Sequence, residues 1–551
     1  MSSRAYDFAL AAASGVLLAL SFPKFGHPAF AWIALAPLLV ALAQSVSLMR
    51  AFALGLTTGV VYFAGTLYWI TRVMMVYGGL QGWAAVLVNA TFIAYLALFP
   101  AIFAIVTRRL VFSLGPPALM AAPLVWVTTE LGRTHLFTGF PWVLLGYSQV
   151  TMLPIAQLAS VFGVYGVSAL VASVSAAAAL VSAGGPREAR ASDSLEPGAP
   201  GVGLRRRENS LEPGAPGVGP RRPEKRGAPR AWMNARWTPV TAVATAVALV
   251  AVWGSWRVAR AELTGAGEPV QVGLVQGNVD QGEKWDPARA AAIFRQYLNM
   301  TLQATDKGAQ FVLWPESSTP FNFEDDGASA DRVRALARQA QVPILLGSDQ
   351  IERGQPDKYY NAAFLVRADG TTAGVYRKMH LVPFGEYVPA KRLFFFMARL
   401  VEAVSDFSAG ERAVLLPVNG HLISTVICYE VVYPDLVRRF VGGGSELLTT
   451  ITNDAWFGRT SAPYQHFAQA AMRAIEEGRY LVRSANTGIS GIVDPYGHVL
   501  AQSDIFRPAV VVGRARFLTG LTVYARSGDV FAYASVVITI AMLILARRRV
   551  Q

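Results

Sequence analysis

Eight apolar stretches set the terms on which this chain can fold. They run approximately from Phe8 to Phe22, Ala29 to Val46, Ala51 to Ile70, Trp83 to Val106, Pro117 to Thr129, Ile155 to Ser182, Pro239 to Trp256 and Val530 to Ala546. Crossing about 30 Å of hydrocarbon at 1.5 Å per residue takes about 20 residues, so the first, second and fifth cross only if they extend into their flanks. With 53% hydrophobic and 15% charged residues, the chain carries more apolar surface than a soluble fold of 551 residues buries. The expectation is a membrane α-helical bundle of about eight transmembrane helices, six within residues 1–183, the seventh within 237–258 and the eighth over 530–546. Arg4 ahead of the first run suits a signal peptide, but no small-residue cleavage site precedes the second run, so a retained anchor is expected.

The formal net charge of +13 is concentrated in a few places. Lys and Arg collect on the cytoplasmic side of membrane spans. A cytoplasmic N-terminus followed by eight crossings puts Arg50, Arg108 and Arg109, the Arg-rich segment 184–236 and the tail Arg547 to Arg549 all on that side. The same count places the connection from about Arg257 to Asp529 outside the cytoplasm. No nucleic-acid motif accompanies the charge, so no nucleic-acid partner is expected. Within 184–236 the decapeptide "SLEPGAPGVG" occurs at 194–203 and again at 210–219. A Pro/Gly-rich repeat bracketed by Arg cannot bury a core, and the segment reads as a disordered cytoplasmic linker with no catalytic part.

Residues 268–517 have the pattern of a soluble α/β domain. Strands are expected in "VQVGLVQGN" (270–278), "QFVLWPES" (310–317), "VPILLGSD" (342–349), "NAAFLVRADG" (361–370), "HLISTVICYE" (421–430), "ELLTTITND" (446–454) and "YLVRSANTG" (480–488), and helices over 287–304 and 330–341. Reactive groups are expected at strand ends. Three strand ends or following turns carry Glu316, Lys378 and Cys428, the last being the sole cysteine of the chain. One cysteine excludes an internal disulfide and a cysteine-rich metal site, and neither a metal nor a cofactor is expected. A thiol attacks a carbonyl as thiolate; Glu can take its proton, and Lys can stabilise both the thiolate and the oxyanion that forms. Spacing alone leaves open a buried core thiol and a structural Glu–Lys ion pair. His380 and His466 read as hydrogen-bonded scaffold, and the aromatics around Tyr68 and Trp69 suit either an acyl groove or a bundle interior.

The ordered motifs "WPE", "RKMHLVPFGEYVP", "CYE" and "NDAWFG" (453–458) narrow this. Together they resemble the carbon–nitrogen hydrolase (nitrilase) superfamily, whose Glu-Lys-Cys triad sits on an αββα sandwich. Placed between the penultimate and last apolar stretches, such a domain is similar to that of the apolipoprotein N-acyltransferase family. The resemblance implies Glu316 as general base, Lys378 as oxyanion stabiliser and Cys428 as nucleophile. It further implies Glu386 as an additional active-site carboxylate, Tyr429 and Glu430 as neighbours of the nucleophile, and Trp285 and Trp456 as aromatics near the substrate. The implied reaction takes an acyl chain from phosphatidylethanolamine through a Cys428 thioester to the N-terminal amine of a diacylglyceryl-cysteine apolipoprotein, at the outer face of a bacterial inner membrane. The run "RLFFFMARLV" (392–401), with Phe394, Phe395 and Phe396 beside Lys391, Arg392 and Arg399, reads as a lipid-entry arm. Two other readings keep the same domain: a membrane-tethered amidase with water as acceptor, and an inactive binding or assembly module.

Overall fold

Helices occupy the chain up to Gly265 and again from Val530, with two β-sheets between. The computed structural model describes residues 3–24, 26–44, 46–183, 230–284, 286–383, 385–387 and 407–549; most of the expected 184–236 linker lies outside them. Among the described residues five helices are long and apolar enough to cross a membrane: Leu48–Leu67, Gly82–Leu114, Ala159–Ser182, Trp237–Gly265 and Val530–Arg548. The expected count of eight is therefore not reached. The first apolar stretch forms a 17-residue helix, Ser3–Ala19. The second breaks into a 3-10 turn, Pro28–Ile33, and an eight-residue helix, Ala36–Ala43. The fifth becomes a turn, Pro116–Ala121, and a helix, Ala122–His135. Each of these four pieces begins with proline in its first turn. Proline lacks the N–H and clashes with the preceding turn, so it starts a helix where the apolar run would otherwise continue one.

Small residues bring these helices together. A Cβ added at Gly55 would lie 2.4 Å from the Pro100 carbonyl oxygen, and one at Gly59 would lie 2.7 Å from Ala97 Cα. The Gly-x-x-x-Gly spacing thus lets Leu48–Leu67 and Gly82–Leu114 approach backbone to backbone, which is how apolar helices gain packing where lipid offers no hydrophobic drive.

The first sheet contains β1 (Glu268–Gln276), β2 (Phe311–Leu313), β3 (Ile344–Glu352), β4 (Lys358–Val366) and β5 (Thr372–Arg377). The second contains β6 (Leu416–Val418), β7 (His421–Ile427), β8 (Leu447–Thr452), β9 (Leu481–Ala485), β10 (Gly491–Val493) and β11 (Val499–Gln502). Strand β12 (Ala509–Phe517) returns to the first sheet, giving the orders β12-β1-β2-β3-β4-β5 and β11-β10-β9-β8-β7-β6. Alternation along β4 shows the layering. Ala363 and Leu365 join the core shared with Ile423, Val426 and Leu448 of the second sheet, while Phe364 and Val366 join the core under helices Pro287–Asp306 and Gly327–Ala340. All seven expected strands and both expected helices are present; β5, β6 and β10 to β12 had no counterpart in the sequence reading.

On the outside of the second sheet lies the helix Ala462–Glu477, with fifteen of its residues buried. It is polar yet enclosed, because its other face meets the membrane helices. Gln465 Oε1 accepts from Trp142 Nε1 at 2.8 Å, Arg473 Nη2 donates to Tyr147 Oη at 2.9 Å, and Glu476 Oε1 accepts from Val164 N at 2.8 Å. The helix packed on β9 and on the turn that follows β7 is thus also the floor on which the sandwich meets the helical bundle.

Candidate active site

Glu316 follows β2, Lys378 follows β5, and Cys428 follows β7, so both sheets contribute from the C-terminal ends of their strands. All three side chains are buried, Lys378 at 1% exposure. Lys378 Nζ donates to Glu386 Oε1 at 2.8 Å and lies 3.4 Å from Glu316 Oε1. Asn361 on β4 spans the two carboxylates, its Nδ2 donating to Glu316 Oε1 at 2.7 Å and to Glu386 Oε1 at 3.0 Å. Backbone donors complete the set: Asn453 N to Glu316 Oε2 and Val382 N to Glu386 Oε2, both at 2.8 Å. Every carboxylate oxygen here has a donor, which is what permits two buried acids around one ammonium.

The charges follow from those contacts. Burial alone would push Glu316 up, but Lys378, the Asn361 amide, Lys284 and the Asn453 N–H outweigh it and hold the carboxyl below its usual range. Burial would likewise lower the Lys378 ammonium, and Glu386 and Glu316 more than reverse that, so it stays charged. Cys428 goes the other way. Burial, then the Glu316 carboxylate, push its thiol well up, with Lys378 opposing. The resting arrangement is therefore a thiol beside a carboxylate and an ammonium.

Cys428 sits at φ 52, in the left-handed region, where an L residue pays roughly 1–2 kcal/mol. Its neighbours hold it there. Glu430 Oε2 accepts from Ile427 N at 2.7 Å; Glu430 Oε1 accepts from the Tyr376 hydroxyl and Met379 N at 2.7 Å and from His380 N at 3.0 Å. One fully buried carboxylate thereby ties the exit of β5, which carries Lys378, to the exit of β7, which carries Cys428. Glu430→Gln keeps the volume but turns an NH2 toward N–H donors, and each buried donor left unpaired costs about 1–3 kcal/mol. The expected outcome is a melting temperature in detergent lowered by several degrees with the protein still membrane-inserted; an unshifted transition would contradict this role.

Tyr429 belongs to an aromatic wall against the bundle. Trp142 stacks on Tyr429 with centroids 6.3 Å apart and meets Trp69 at 5.3 Å and Phe457 at 5.9 Å; Phe140 lies 6.1 Å from Trp142. Trp456 packs edge-on against Tyr77 of the membrane region at 4.8 Å, and the Tyr77 hydroxyl donates to Ala455 O at 3.0 Å. Trp285, Phe394, Phe395 and Phe396 lie outside the described residues. The sequence reading missed Asn361, Asn453, Phe140 and Trp142. Asn361 was signalled by a lone amide inside the apolar strand "YNAAFLV", and Phe140 and Trp142 by aromatics in the Gly/Pro turn "TGFPW" between two apolar runs.

Comparison with known proteins bears on the whole of this arrangement. The chain is 39% identical over 545 residues to the apolipoprotein N-acyltransferase of Geobacter metallireducens, covering 98% of this chain and 96% of that one. The chain belongs to the apolipoprotein N-acyltransferase family. Relatives of the same name from Methylococcus capsulatus and Brucella melitensis biotype 1 are 34% and 32% identical, covering 94% and 82% of this chain and 92% and 77% of theirs. The family's N-terminal domain matches residues 14–177, and the carbon–nitrogen hydrolase family matches 271–514, the part that forms the sandwich. Among solved structures, an amidase of the nitrilase superfamily from Nesterenkonia is 20% identical and covers 49% of this chain and 97% of its own, at a TM-score of 0.38. Family membership spans both the apolar helices and the sandwich, so a membrane-borne acyltransferase of the nitrilase-like class is the setting for the Glu316, Lys378, Glu386 and Cys428 cluster.

Proposed function

We propose that this protein transfers an acyl chain from a phospholipid, phosphatidylethanolamine, through a thioester on Cys428 to the N-terminal amine of a diacylglyceryl-cysteine apolipoprotein. The observation that carries the reading is the union of two parts: a cluster of Glu316, Lys378, Glu386 and Cys428, and a helix, Ala462–Glu477, that backs the nucleophile while packing on membrane helices. A donor whose ester lies at the bilayer surface needs a nucleophile held at that surface.

In the first half-reaction Cys428 Sγ bonds to the ester carbonyl carbon while Glu316 takes the thiol proton. The carbonyl oxygen becomes an oxyanion beside Lys378, and the C–O bond breaks as the proton passes to the leaving lysophospholipid oxygen. In the second half the lipoprotein amine attacks the thioester, Glu316 accepts an amine proton, and the Cys428 thiol is regenerated as an amide forms. The trans peptide between Cys428 and Tyr429 offers a second oxyanion donor, the Tyr429 N–H.

The domain reading extends this: catalysis in residues 268–517 on the outer face of a bacterial inner membrane, with 184–236 as a cytoplasmic linker and 394–396 as part of a lipid-entry arm. Charge supports that orientation if the Ser3–Ala19, Pro28–Ala43 and Pro116–His135 segments also cross, because eight crossings put every Arg cluster on one side. Five crossings would leave Arg50 and the tail at Arg547 to Arg549 at odds with any single orientation.

Labelled phosphatidylethanolamine added to the protein in proteoliposomes tests the function. Intact-mass analysis should find one acyl group on Cys428, discharged by a diacylglyceryl lipopeptide as an amide. Discharge by water at the same rate without the lipopeptide would replace transfer by hydrolysis, and no adduct would remove the proposal.

A further inference from the structure

His466 is fully buried in the Ala462–Glu477 helix, one residue after Gln465, which binds Trp142. Its Nε2 lies 3.1 Å from the backbone carbonyl oxygen of Cys428. Its Nδ1 lies 3.0 Å from both Asp454 Oδ1 and Arg483 Nη2. Arg483 Nη2 also reaches Asp454 Oδ2 at 3.0 Å, and the Thr452 hydroxyl donates to Asp454 Oδ1 at 3.0 Å. Arg483 and Asp454 are buried as completely as the imidazole.

The protonation pattern follows from what each partner can do. A carbonyl oxygen only accepts, so Nε2 must carry a hydrogen. Nδ1 lies 3.0 Å from both a guanidinium, which only donates, and the Asp454 carboxylate, which only accepts, so the ring is held from this side whichever of the two it bonds, and the Nε2–H is kept in either case. Burial and then Arg483 hold the imidazole below its ordinary range, which agrees with a neutral ring, and Asp454 is brought down to about 2 chiefly by Arg483 against the pull of burial. The ring also packs against Trp142, tilted by 35° with centroids 5.4 Å apart, which restricts its rotation.

A neutral, oriented imidazole with one N–H aimed at the nucleophile's carbonyl has one mechanical effect. In a trans peptide the C=O and the following N–H point in opposite directions. Pulling the Cys428 carbonyl toward the Ala462–Glu477 helix aims the Tyr429 N–H away from that helix, toward the acyl oxygen of a substrate on Sγ. It also holds Cys428 at its left-handed φ.

We propose that His466, locked by Arg483 and Asp454, is a positioning residue that orients the Cys428–Tyr429 peptide so that the Tyr429 N–H stabilises the oxyanion of both half-reactions. The inference rests on Cys428 being the acyl carrier. It also links the site to the bundle, since Trp142 meets His466 by a tilted ring contact and Gln465 by hydrogen bond.

Gln and Asn separate this from a packing role. Gln at 466 puts an amide N–H where Nε2 is, whereas Asn reaches only the Nδ1 position, and both are polar and close in volume. Two rates are measured on the full-length protein in proteoliposomes: thioester formation from phosphatidylethanolamine, and alkylation of Cys428 by iodoacetamide, a displacement at saturated carbon that creates no oxyanion. For His466→Asn thioester formation should fall about 100-fold, the usual effect of one oxyanion donor, while alkylation stays within about twofold. His466→Gln should recover thioester formation to within about fivefold of the parent. An unchanged acylation rate in His466→Asn, a parallel fall of both rates, or a His466→Gln variant as slow as His466→Asn would each overturn the proposal. Failure of the parent protein to form any thioester would remove the Cys428 reading itself, a result distinct from those three.

Discussion

Cys428→Ser should form no acyl adduct with labelled phosphatidylethanolamine, a loss of at least 1,000-fold that intact-mass analysis reads directly, while the protein still inserts in the membrane. Sulfur and oxygen differ little in volume, and the strand, the Glu430 tie and the His466 contact all use backbone atoms of residues 427 and 428, so the fold keeps its shape. What changes is reactivity. A serine hydroxyl is a far weaker acid and nucleophile than a thiol, and Glu316, held below the usual carboxylate range, is too weak a base to compensate. The same shifts set the pH dependence. Because burial and Glu316 keep the thiol protonated, attack proceeds with proton transfer to Glu316 and does not wait for a free thiolate. Single-turnover acylation should therefore stay level from about pH 6 to about pH 8 and fall only in acid, as Glu316 takes up a proton below its ordinary range. A rate rising tenfold per pH unit through neutrality would show a preformed thiolate and contradict the general-base role. Acylation surviving in Cys428→Ser would remove the nucleophile.

Lys378→Met should cost both stability and chemistry, and a second substitution can separate them. Removing one partner of a buried pair typically costs about 3–5 kcal/mol, because the remaining charge has no counterion. Here Glu316 and Glu386 would face each other through Asn361 alone. A fall of roughly 10 °C in the melting temperature is expected in detergent, with acylation reduced at least 1,000-fold. Adding Glu386→Gln removes the excess charge, so most of the stability should return while acylation does not. If activity returned together with stability, Lys378 would be holding the fold and not the oxyanion.

Much of this site was legible before any coordinates because its chemistry demands unlike groups at strand ends. Glu316 and Cys428 stand at the ends of β2 and β7, where an apolar run gives way to polar residues, and that transition is visible in one dimension; Lys378 follows β5, a strand the sequence did not reveal, and was singled out only by the motif around it. Glu430 was visible only as a neighbour of the nucleophile. Its use as a four-donor tie depends on β5 and β7 ending side by side, a relation between residues 51 and 50 positions apart in the cases of Met379 and His380. Asn361 was hidden for the same reason: an amide in a strand acquires meaning only when two carboxylates from other segments converge on it. The count of eight continuous spans is not matched where apolar composition continues through proline, since hydropathy sums side chains while helix continuity depends on the backbone N–H that proline lacks.

The amino-acid order by itself determined the class of chain, a bundle of apolar helices carrying an α/β domain, because hydrophobicity and its period are local properties that survive without contacts. It also offered Glu316, Lys378 and Cys428 as candidates for acyl chemistry, through the order of the motifs that carry them. Only the tertiary structure decided that the helix behind the nucleophile is shared with the bundle, that His466 grips the Cys428 carbonyl, and that Trp142 presses on both. These relations join residues from distant parts of the chain across a single buried interface, and no local pattern encodes which buried polar group will meet which.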